Sequence, residues 1–304
     1  MQFSELEWAI LKTIAYADIF DYPITVQELE RYLIGVPASR DAIHATLTTN
    51  RLQQRFISIC DDYLTLTGRE SNIALRRGRS AVAQRLWPHA VAYGQVIGSL
   101  PFVRMVAVTG SLAVDNAAAN GDIDYLIITE PGRLWLTRLF VVMLVRWAER
   151  HEGVTLCPNY FLSESALIIE EQNLFSAREL AQMVPVSGME TYDAMRRLNA
   201  WTDDYFPNAA SAPTPYGEPA PETRRLSTRL LEYVLRTPPG QWIDEWEMNR
   251  KIRKLSRQPG QNPYEVDFSR DWCKGHFEGH MQRVMKAFDA RLHALQANGY
   301  TAYD

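Results

Sequence analysis

The stretch 106–129, VAVTGSLAVDNAAANGDIDYLIIT, joins two apolar, partly β-branched runs through a short polar loop. The first run ends at Gly110 and Ser111, and the second run follows directly on Asp122 and Asp124. Runs of this length and composition, bounded by turn residues, are typical of buried strands. The pattern therefore predicts a strand, a turn, a loop and a second strand, around which we expect the rest of the chain to fold.

The two aspartates are separated by a single apolar residue. In an extended chain, side chains two positions apart point to the same side and lie roughly 6.5 to 7 Å apart. Asp122 and Asp124 therefore share one face, while Ile123 enters the core. Two half-buried carboxylates repel each other unless a cation lies between them. The pair thus predicts a site for a hard cation with oxygen ligands, and magnesium fits best.

The turn before the loop has the properties of an anion site. Gly110 lets a ligand approach the backbone without obstruction by a Cβ atom. Ser111 offers a hydroxyl and an amide hydrogen to an anionic oxygen. Phosphate at the turn and metal at the carboxylates predict a site for a nucleoside triphosphate with its magnesium. A β-hairpin with an Asp-rich turn is the alternative, because Gly, Asn and Asp are ordinary turn residues.

The complete pattern is Gly110-Ser111, ten intervening residues, and Asp122-Ile123-Asp124 between apolar strands. It resembles the signature of the DNA polymerase beta-like nucleotidyltransferase superfamily. The resemblance implies that the Gly-Ser turn holds the triphosphate and that the Asp pair binds the metals that promote attack on the α-phosphorus. It also implies transfer of a nucleoside monophosphate to an acceptor, which the sequence does not identify.

The next predicted strand departs from the superfamily pattern. Its members commonly carry a third carboxylate there, and the matching position in the strand 154–162 is Asn159. An amide oxygen can ligate a metal or bind a nucleotide, but it cannot act as a general base. A two-ion site stays open although the third carboxylate is not evident, and Glu164 is a possible substitute. The alternative is an inert regulatory or scaffolding protein that keeps the fold and binds nucleotide, DNA or a partner protein.

A helix predicted at 134–150 follows the second strand and is apolar nearly all round in its middle, as expected behind a sheet. Arg138 lies near its start. We expect this arginine to bind nucleotide by neutralising phosphate charge, although a surface ion pair is a common use of arginine. Further on, Ser176 is predicted to cap a helix over 177–183.

The first 70 residues predict a winged helix. Ser4 with Glu7 and Thr25 with Glu28 have the spacing of capping boxes, Ser39 caps a third helix, and two short strands follow. In a DNA-binding winged helix the third helix would enter the major groove. Here it offers only a few basic residues, namely Arg40, His44 and Arg51. A nucleic-acid partner is therefore open, and packing against the central domain is the preferred interpretation.

The chain as a whole is expected to be an α/β (α+β) protein in three parts. These are a winged-helix-like domain over 1–75, a nucleotidyltransferase catalytic domain with a mixed sheet flanked by helices over 76–210, and a helical C-terminal domain over 211–304. The segment 207–221 is rich in Pro, Ala and Ser and is expected to be a linker.

Composition narrows the classes of partner and compartment. The net charge of −4 excludes a strongly basic nucleic-acid coat. The three cysteines are far apart and have no metal-binding spacing, so a reducing cytoplasm is expected. The N-terminus is acidic where a signal peptide would be basic. The longest apolar run, 139–145, is shorter than the roughly 20 residues that span a bilayer, so we expect no membrane partner.

Overall fold

The computed structural model describes residues 3–49, 51–213, 226–255, 267–274 and 277–297. They form a mixed α/β structure in which helices flank two sheets, which confirms the predicted fold class. The helices are α1 Glu5–Asp18, α2 Val26–Arg31, α3 Arg40–Thr48, α4 Asn72–Gly98, α5 Gly110–Ala113, α6 Leu134–Glu152, α7 Leu174–Gln182, α8 Met189–Leu198, α9 Thr202–Tyr205, α10 Leu226–Leu235, α11 Pro238–Leu255 and α12 Phe277–Ala297. The strands are β1 Ile24–Thr25, β2 Ile57–Cys60, β3 Tyr63–Leu66, β4 Val103–Val108, β5 Ile123–Thr129, β6 Leu156–Ser163, β7 Val184–Ser187, β8 Asp267–Phe268 and β9 Trp272–Lys274.

The N-terminal helices begin where their caps predict. The hydroxyl of Ser4 accepts a hydrogen bond from the Glu7 amide, and the Glu7 carboxylate accepts one from the Ser4 amide, which completes a capping box. Thr25 and Glu28 form a second box at the start of α2. The hairpin of β2 and β3 follows α3, and β1 joins it in the order β1-β3-β2. The winged-helix assignment itself stays a prediction.

Two of the basic residues that the sequence offered to nucleic acid are engaged within the protein. Arg40 Nη2 lies 2.8 Å from Glu30 Oε2, and Arg51 Nη1 lies 3.0 Å from Glu7 Oε2. A guanidinium that already neutralises a carboxylate releases less free energy on meeting a phosphate. These pairs favour an internal role for this part of the chain.

The larger sheet has six strands in the order β7-β4-β5-β6-β9-β8. Among the strand pairs of the described residues, only β5–β6 is parallel, and α6 makes the crossover between these two strands. Ile123, Tyr125 and Ile127 of β5 are buried on the face covered by α4 and α6. Leu126 and Ile128 are buried on the opposite face, towards α7 and α8. The alternation of β5 therefore fixes which side of the sheet receives Asp124.

The C-terminal part is not helical throughout. The sequence predicted a helical domain over 211–304, whereas Trp272–Lys274 forms β9 and pairs antiparallel with β6. Sheet pairing satisfies the backbone groups along the open edge of β6, which local propensity could not anticipate. Beyond β9, α12 packs against α1 and α7. Among the described residues, no helix combines the length and the apolar character needed to cross a bilayer.

Candidate functional site

The carboxylates of Asp122 and Asp124 lie together at the start of β5. One oxygen of each, with the sulfur of Cys157, falls within 4.8 Å of the others. Ile123 between them is fully buried, so the two acids share the face that the alternation predicts. Cys157 comes from β6, where it is the Cα partner of Asp124 across the parallel pair. The cluster thus depends on the pairing of β5 with β6.

Gly110 lies directly beside this acid pair. Its φ is +65°, a left-handed conformation that favours glycine. A Cβ atom at this position would lie only 2.5 Å from Asp124 Oδ2, closer than any real Cβ contact. The amide of Thr109 donates to the Asp124 carbonyl at 3.0 Å and holds the two segments in register. Ser111 follows in α5, exposed to solvent, so its hydroxyl is accessible next to the carboxylates.

The acid pair is electrostatically unfavourable on its own. Burial, and then the charge of Asp122, raise the pKa of Asp124 to about 7, opposed in part by a hydrogen bond with Cys157. Burial and the two carboxylates together raise the pKa of the Cys157 thiol to about 12. The sulfur therefore keeps its proton. It lies beside the acids without serving as a cation ligand, since hard cations prefer oxygen. Two crowded carboxylates, of which Asp124 has the raised pKa, could hold a cation that relieves their repulsion.

Two further polar groups face the same acids. Asn159, on β6, donates from Nδ2 to Asp124 Oδ1 at 2.8 Å, which places this predicted residue at the site. Glu179, on α7, was not predicted. Burial first raises the pKa of Glu179 to about 7, Arg178 opposes the rise, and the charge of Asp124 adds to it. A carboxylate is thus present on this side of the sheet, although it comes from a helix rather than from the strand.

The structure places two predicted site residues, Arg138 and Glu164, away from the acid pair. Arg138 packs over the Trp135 ring, at 5.9 Å from its centroid, and its charge acts on Cys273. Trp135 and Cys273 belong to the core between the sheet and α6, on the opposite face from Asp124. Arg138 therefore cannot reach the acid pair. Glu164 is engaged with Arg104, at 3.5 Å, and does not supply the missing carboxylate.

A cleft of about 540 Å³ contains Gly110, Ser111, Asp124, Asn159 and Glu179. It lies between the sheet, α1, α7 and α12, and its volume is in the range of small-ligand sites. Its walls away from the acids are mainly aromatic. These aromatic residues are Tyr16, Phe20, Tyr22, Tyr160, Phe175 and His280.

Comparison of the chain with protein-family models, with curated proteins and with solved structures found no match. The chemistry that the cleft can support therefore follows from its own residues and from Asp122 beside Asp124. They provide paired carboxylates, a glycine without room for a side chain, an exposed hydroxyl, and one further acid with a pKa near neutrality. This combination can bind a cation with an anionic ligand and can accept a proton close by.

Replacing Gly110 with alanine is expected to lower the affinity for Mg²⁺ by about 10- to 100-fold, the range seen when the support of a metal ligand is lost. The new Cβ would collide with Asp124 Oδ2 and displace the carboxylate. Calorimetric titration with Mg²⁺ measures the change. The matched control is Gly68→Ala, because Gly68 has a φ of +83° and open space around its Cβ position. Equal Mg²⁺ affinity in the two variants would contradict this account.

Proposed function

We propose that this protein is a metal-dependent nucleotidyltransferase that transfers a nucleoside monophosphate from a nucleoside triphosphate to an acceptor. The observation that carries the proposal is the meeting of Asp124, Gly110 and Ser111 in a single cleft, with the Asp122 carboxylate beside that of Asp124. The superfamily resemblance of the sequence rests on the same four residues. The spacing of these four residues in the chain and their arrangement in the folded protein therefore support the same function.

Each residue of the cleft has a chemical role in this proposal. Asp122 and Asp124 hold the cation, and Asn159 orients Asp124 through its amide hydrogen bond. Gly110 leaves room for the Asp124 carboxylate, and Ser111 donates its hydroxyl to a phosphate oxygen of the triphosphate. A bound magnesium ion would polarise the α-phosphate and offset the charge that develops during transfer.

The proton of the acceptor needs a base, which Asn159 cannot provide. Glu179 lines the same cleft, and its pKa of about 7 makes the ionised form available near neutral pH. A base with a pKa near the operating pH is the most effective for proton transfer. We assign this role to Glu179, so that the helix α7 supplies what the superfamily usually places on the strand.

Asn159 also favours a second candidate function. A protein that keeps the fold, binds nucleotide and regulates a partner without turnover would not need a carboxylate on β6. Glu179 separates the two candidates, because an inert protein has no use for a proton acceptor beside the acid pair. Nucleotide binding alone is expected from either candidate, and turnover only from the first.

Label transfer from α-labelled nucleoside triphosphates tests the proposal. We expect Mg²⁺-dependent appearance of the label in a small-molecule acceptor fraction, with release of pyrophosphate. Calorimetry with the same triphosphates and Mg²⁺ provides a second measurement, comparing the wild type with Asp122→Ala. Asp193→Ala is the matched control, since Asp193 is exposed on α8. If Asp122→Ala binds every nucleotide as the wild type does, the site is misassigned.

Restoring a carboxylate on β6 is expected to strengthen cation binding. Asn159→Asp would place a third acid against Asp124, where the amide now donates at 2.8 Å. The added attraction is expected to raise the affinity for Mg²⁺ about tenfold, which corresponds to roughly 1.4 kcal/mol. The same change should lower the stability of the metal-free protein, because a third charge joins a repulsive pair. Titration with Mg²⁺ and thermal unfolding in chelator measure the two effects. Unchanged affinity would place Asn159 outside the cation site.

A further inference from the structure

Two hydroxyl groups in the cleft lack partners although they are deeply buried. Tyr16, on α1, is 3% exposed, and Ser176, on α7, is 2% exposed. Neither Tyr16 Oη nor Ser176 Oγ has a hydrogen-bond partner among the described residues, and both residues line the cleft. Ser176 was predicted to cap α7, but Asn173 caps this helix instead and leaves the serine hydroxyl free for other use. A buried hydroxyl without a partner is costly, so each points to a ligand group.

The rings around these hydroxyls form a cluster in which they pack against one another at tilted and edge-on angles. The centroids of Tyr16 and Phe20 are 5.7 Å apart, and His280 lies 6.5 Å from Phe20 and 5.6 Å from Phe175. These rings come from α1, α7 and α12, so three helices enclose this end of the cleft. Such a cluster presents ring edges and faces to the cleft, which a planar ligand ring can meet in offset or edge-on contact. Burial on three sides suits a compact molecule better than the end of a polymer.

Two charged side chains of α7, Arg178 and Glu179, also line this region and can contact polar substituents of a ligand. Arg178 is buried, its Nε donates to Gln182 at 3.0 Å, and its guanidinium lies 3.4 Å from the centroid of the Tyr32 ring. Glu179 follows it on α7 and lines the cleft. Together with the hydroxyls of Tyr16 and Ser176, this set offers several hydrogen-bonding groups around an apolar centre.

We propose that the region between Tyr16, Phe175, Ser176, Glu179 and His280, here called the α1–α7 pocket, binds the acceptor, and that the acceptor is a small planar aromatic molecule carrying hydroxyl groups. The assignment of this pocket to the acceptor rests on the proposed nucleotidyltransferase function. One hydroxyl of the molecule bonds to Tyr16 and Ser176, and the reacting hydroxyl faces Glu179. The N-terminal part of the chain thereby gains a role, because α1 forms one wall of the substrate site.

The transfer step balances with the groups present and the triphosphate. The oxygen of the acceptor hydroxyl forms a bond to the α-phosphorus. The bond between the α-phosphorus and the oxygen that bridges to the β-phosphorus breaks, and pyrophosphate leaves with that electron pair. The proton of the acceptor hydroxyl passes to the carboxylate of Glu179.

Binding of 2,3-dihydroxynaphthalene to the full chain, without metal or nucleotide, tests the pocket directly. We expect saturable binding by calorimetry, and Tyr16→Phe and Ser176→Ala should each weaken it about 5- to 10-fold, the value of one lost hydrogen bond. The matched controls are Tyr192→Phe and Thr202→Val. Their hydroxyls are equally buried and unpartnered among the described residues, but they do not line the cleft. The controls should bind the probe as the wild type does.

Several outcomes would overturn the proposal. These are absence of saturable binding, equal weakening in the control variants, unchanged binding in Tyr16→Phe and Ser176→Ala, and tighter binding of myo-inositol, which would indicate a sugar-like ligand. Displacement of the probe by ATP would assign the pocket to the nucleobase and not to the acceptor. Thermal unfolding of each variant verifies that it is folded.

The outcomes also separate this inference from the function on which it rests. If the probe depends on Tyr16 and Ser176 while Asp122→Ala leaves nucleotide binding unchanged, the pocket stands and the nucleotidyltransferase proposal falls. If nucleotide binding depends on Asp122 while binding of the probe does not depend on Tyr16 and Ser176, only the acceptor assignment is wrong. Joint binding of the probe and ATP with Mg²⁺, followed by label transfer to the probe, supports both.

Discussion

Asp124→Asn is expected to lower kcat by about a thousandfold or more, while making the metal-free protein more stable. The loss follows from the proposed function, in which Asp124 would hold the cation and a positioned metal ion would supply several kcal/mol of transition-state stabilisation. The amide of asparagine has nearly the shape of the carboxylate, and its oxygen can still accept the hydrogen bond from Asn159. The change therefore removes charge and leaves packing almost intact. Label transfer at saturating Mg²⁺ measures the loss.

The gain in stability follows from the pKa of Asp124, which burial and Asp122 raise from 3.8 to about 7. A carboxyl whose folded pKa lies above its unfolded pKa stabilises the fold below the unfolded value, and this contribution is lost as the pH rises through the folded value. For Asp124 the window runs from about pH 4 to about pH 7. At pH 8 the metal-free wild type carries the full penalty, which the asparagine variant avoids.

We expect the free energy of unfolding of Asp124→Asn in chelator at pH 8 to exceed that of the wild type by about 1–3 kcal/mol, with little difference at pH 4. Denaturant unfolding at the two pH values measures this. Asp193→Asn, on the exposed face of α8, is the control and should change neither stability nor turnover. An Asp124→Asn variant that is less stable than the wild type at pH 8 would show that the pair is not under repulsion.

The part of the site that could be predicted from sequence is the part that is local in the chain. Gly110, Ser111, Asp122 and Asp124 lie within two consecutive strands and the loop that joins them. Strand alternation alone fixes which side chains share a face, so the acids meet in the structure as their spacing predicts. The capping boxes of α1 and α2 were predictable for the same reason, since each involves residues three positions apart.

The rest of the cleft depends on contacts between distant segments. Glu179 and Tyr16 are separated by more than half the length of the chain, and only the packing of α1 and α7 against the sheet brings them to the acid pair. Arg138, in contrast, was predicted at the site and lies away from it. The parallel pairing of β5 and β6 sends the crossover helix α6 to the other face, which no spacing around Arg138 indicates.

The strand β7 was missed for a different reason. No strand was predicted after the helix 177–183, where Pro185 follows and cannot donate a hydrogen bond to a sheet. In the part of the chain that the structure describes, β7 is an edge strand of the larger sheet and pairs only with β4, so a proline is tolerated. Whether a strand is at the edge is a property of the whole sheet, and the sequence around Pro185 carries no sign of it.

Glu179→Gln is expected to lower kcat by about 100- to 10,000-fold, the usual contribution of a positioned general base. The base form of Glu179 exists above its pKa of about 7, so kcat/KM of the wild type, which reports the free enzyme, should rise with pH and level off above that value. The measurement is made at saturating Mg²⁺, because a bound cation holds Asp124 ionised and removes it from the profile. In Glu179→Gln the rise near pH 7 should disappear together with most of the activity.

The strongest test of this assignment is restoration of activity from a different element. In the Glu179→Gln background, Asn159→Asp would return a carboxylate to the cleft from β6, next to Asp124. We expect part of the lost kcat to return, with a new pH dependence that belongs to the introduced acid. Glu190→Gln is the control, since Glu190 is exposed on α8 and should leave the pH profile unchanged. If Glu179→Gln keeps both its kcat and its rise near pH 7, the proton is accepted elsewhere. Loss of activity without any return in the double variant would mean that a carboxylate serves only when it approaches from α7, across the cleft from the strands that carry Asp124 and Asn159.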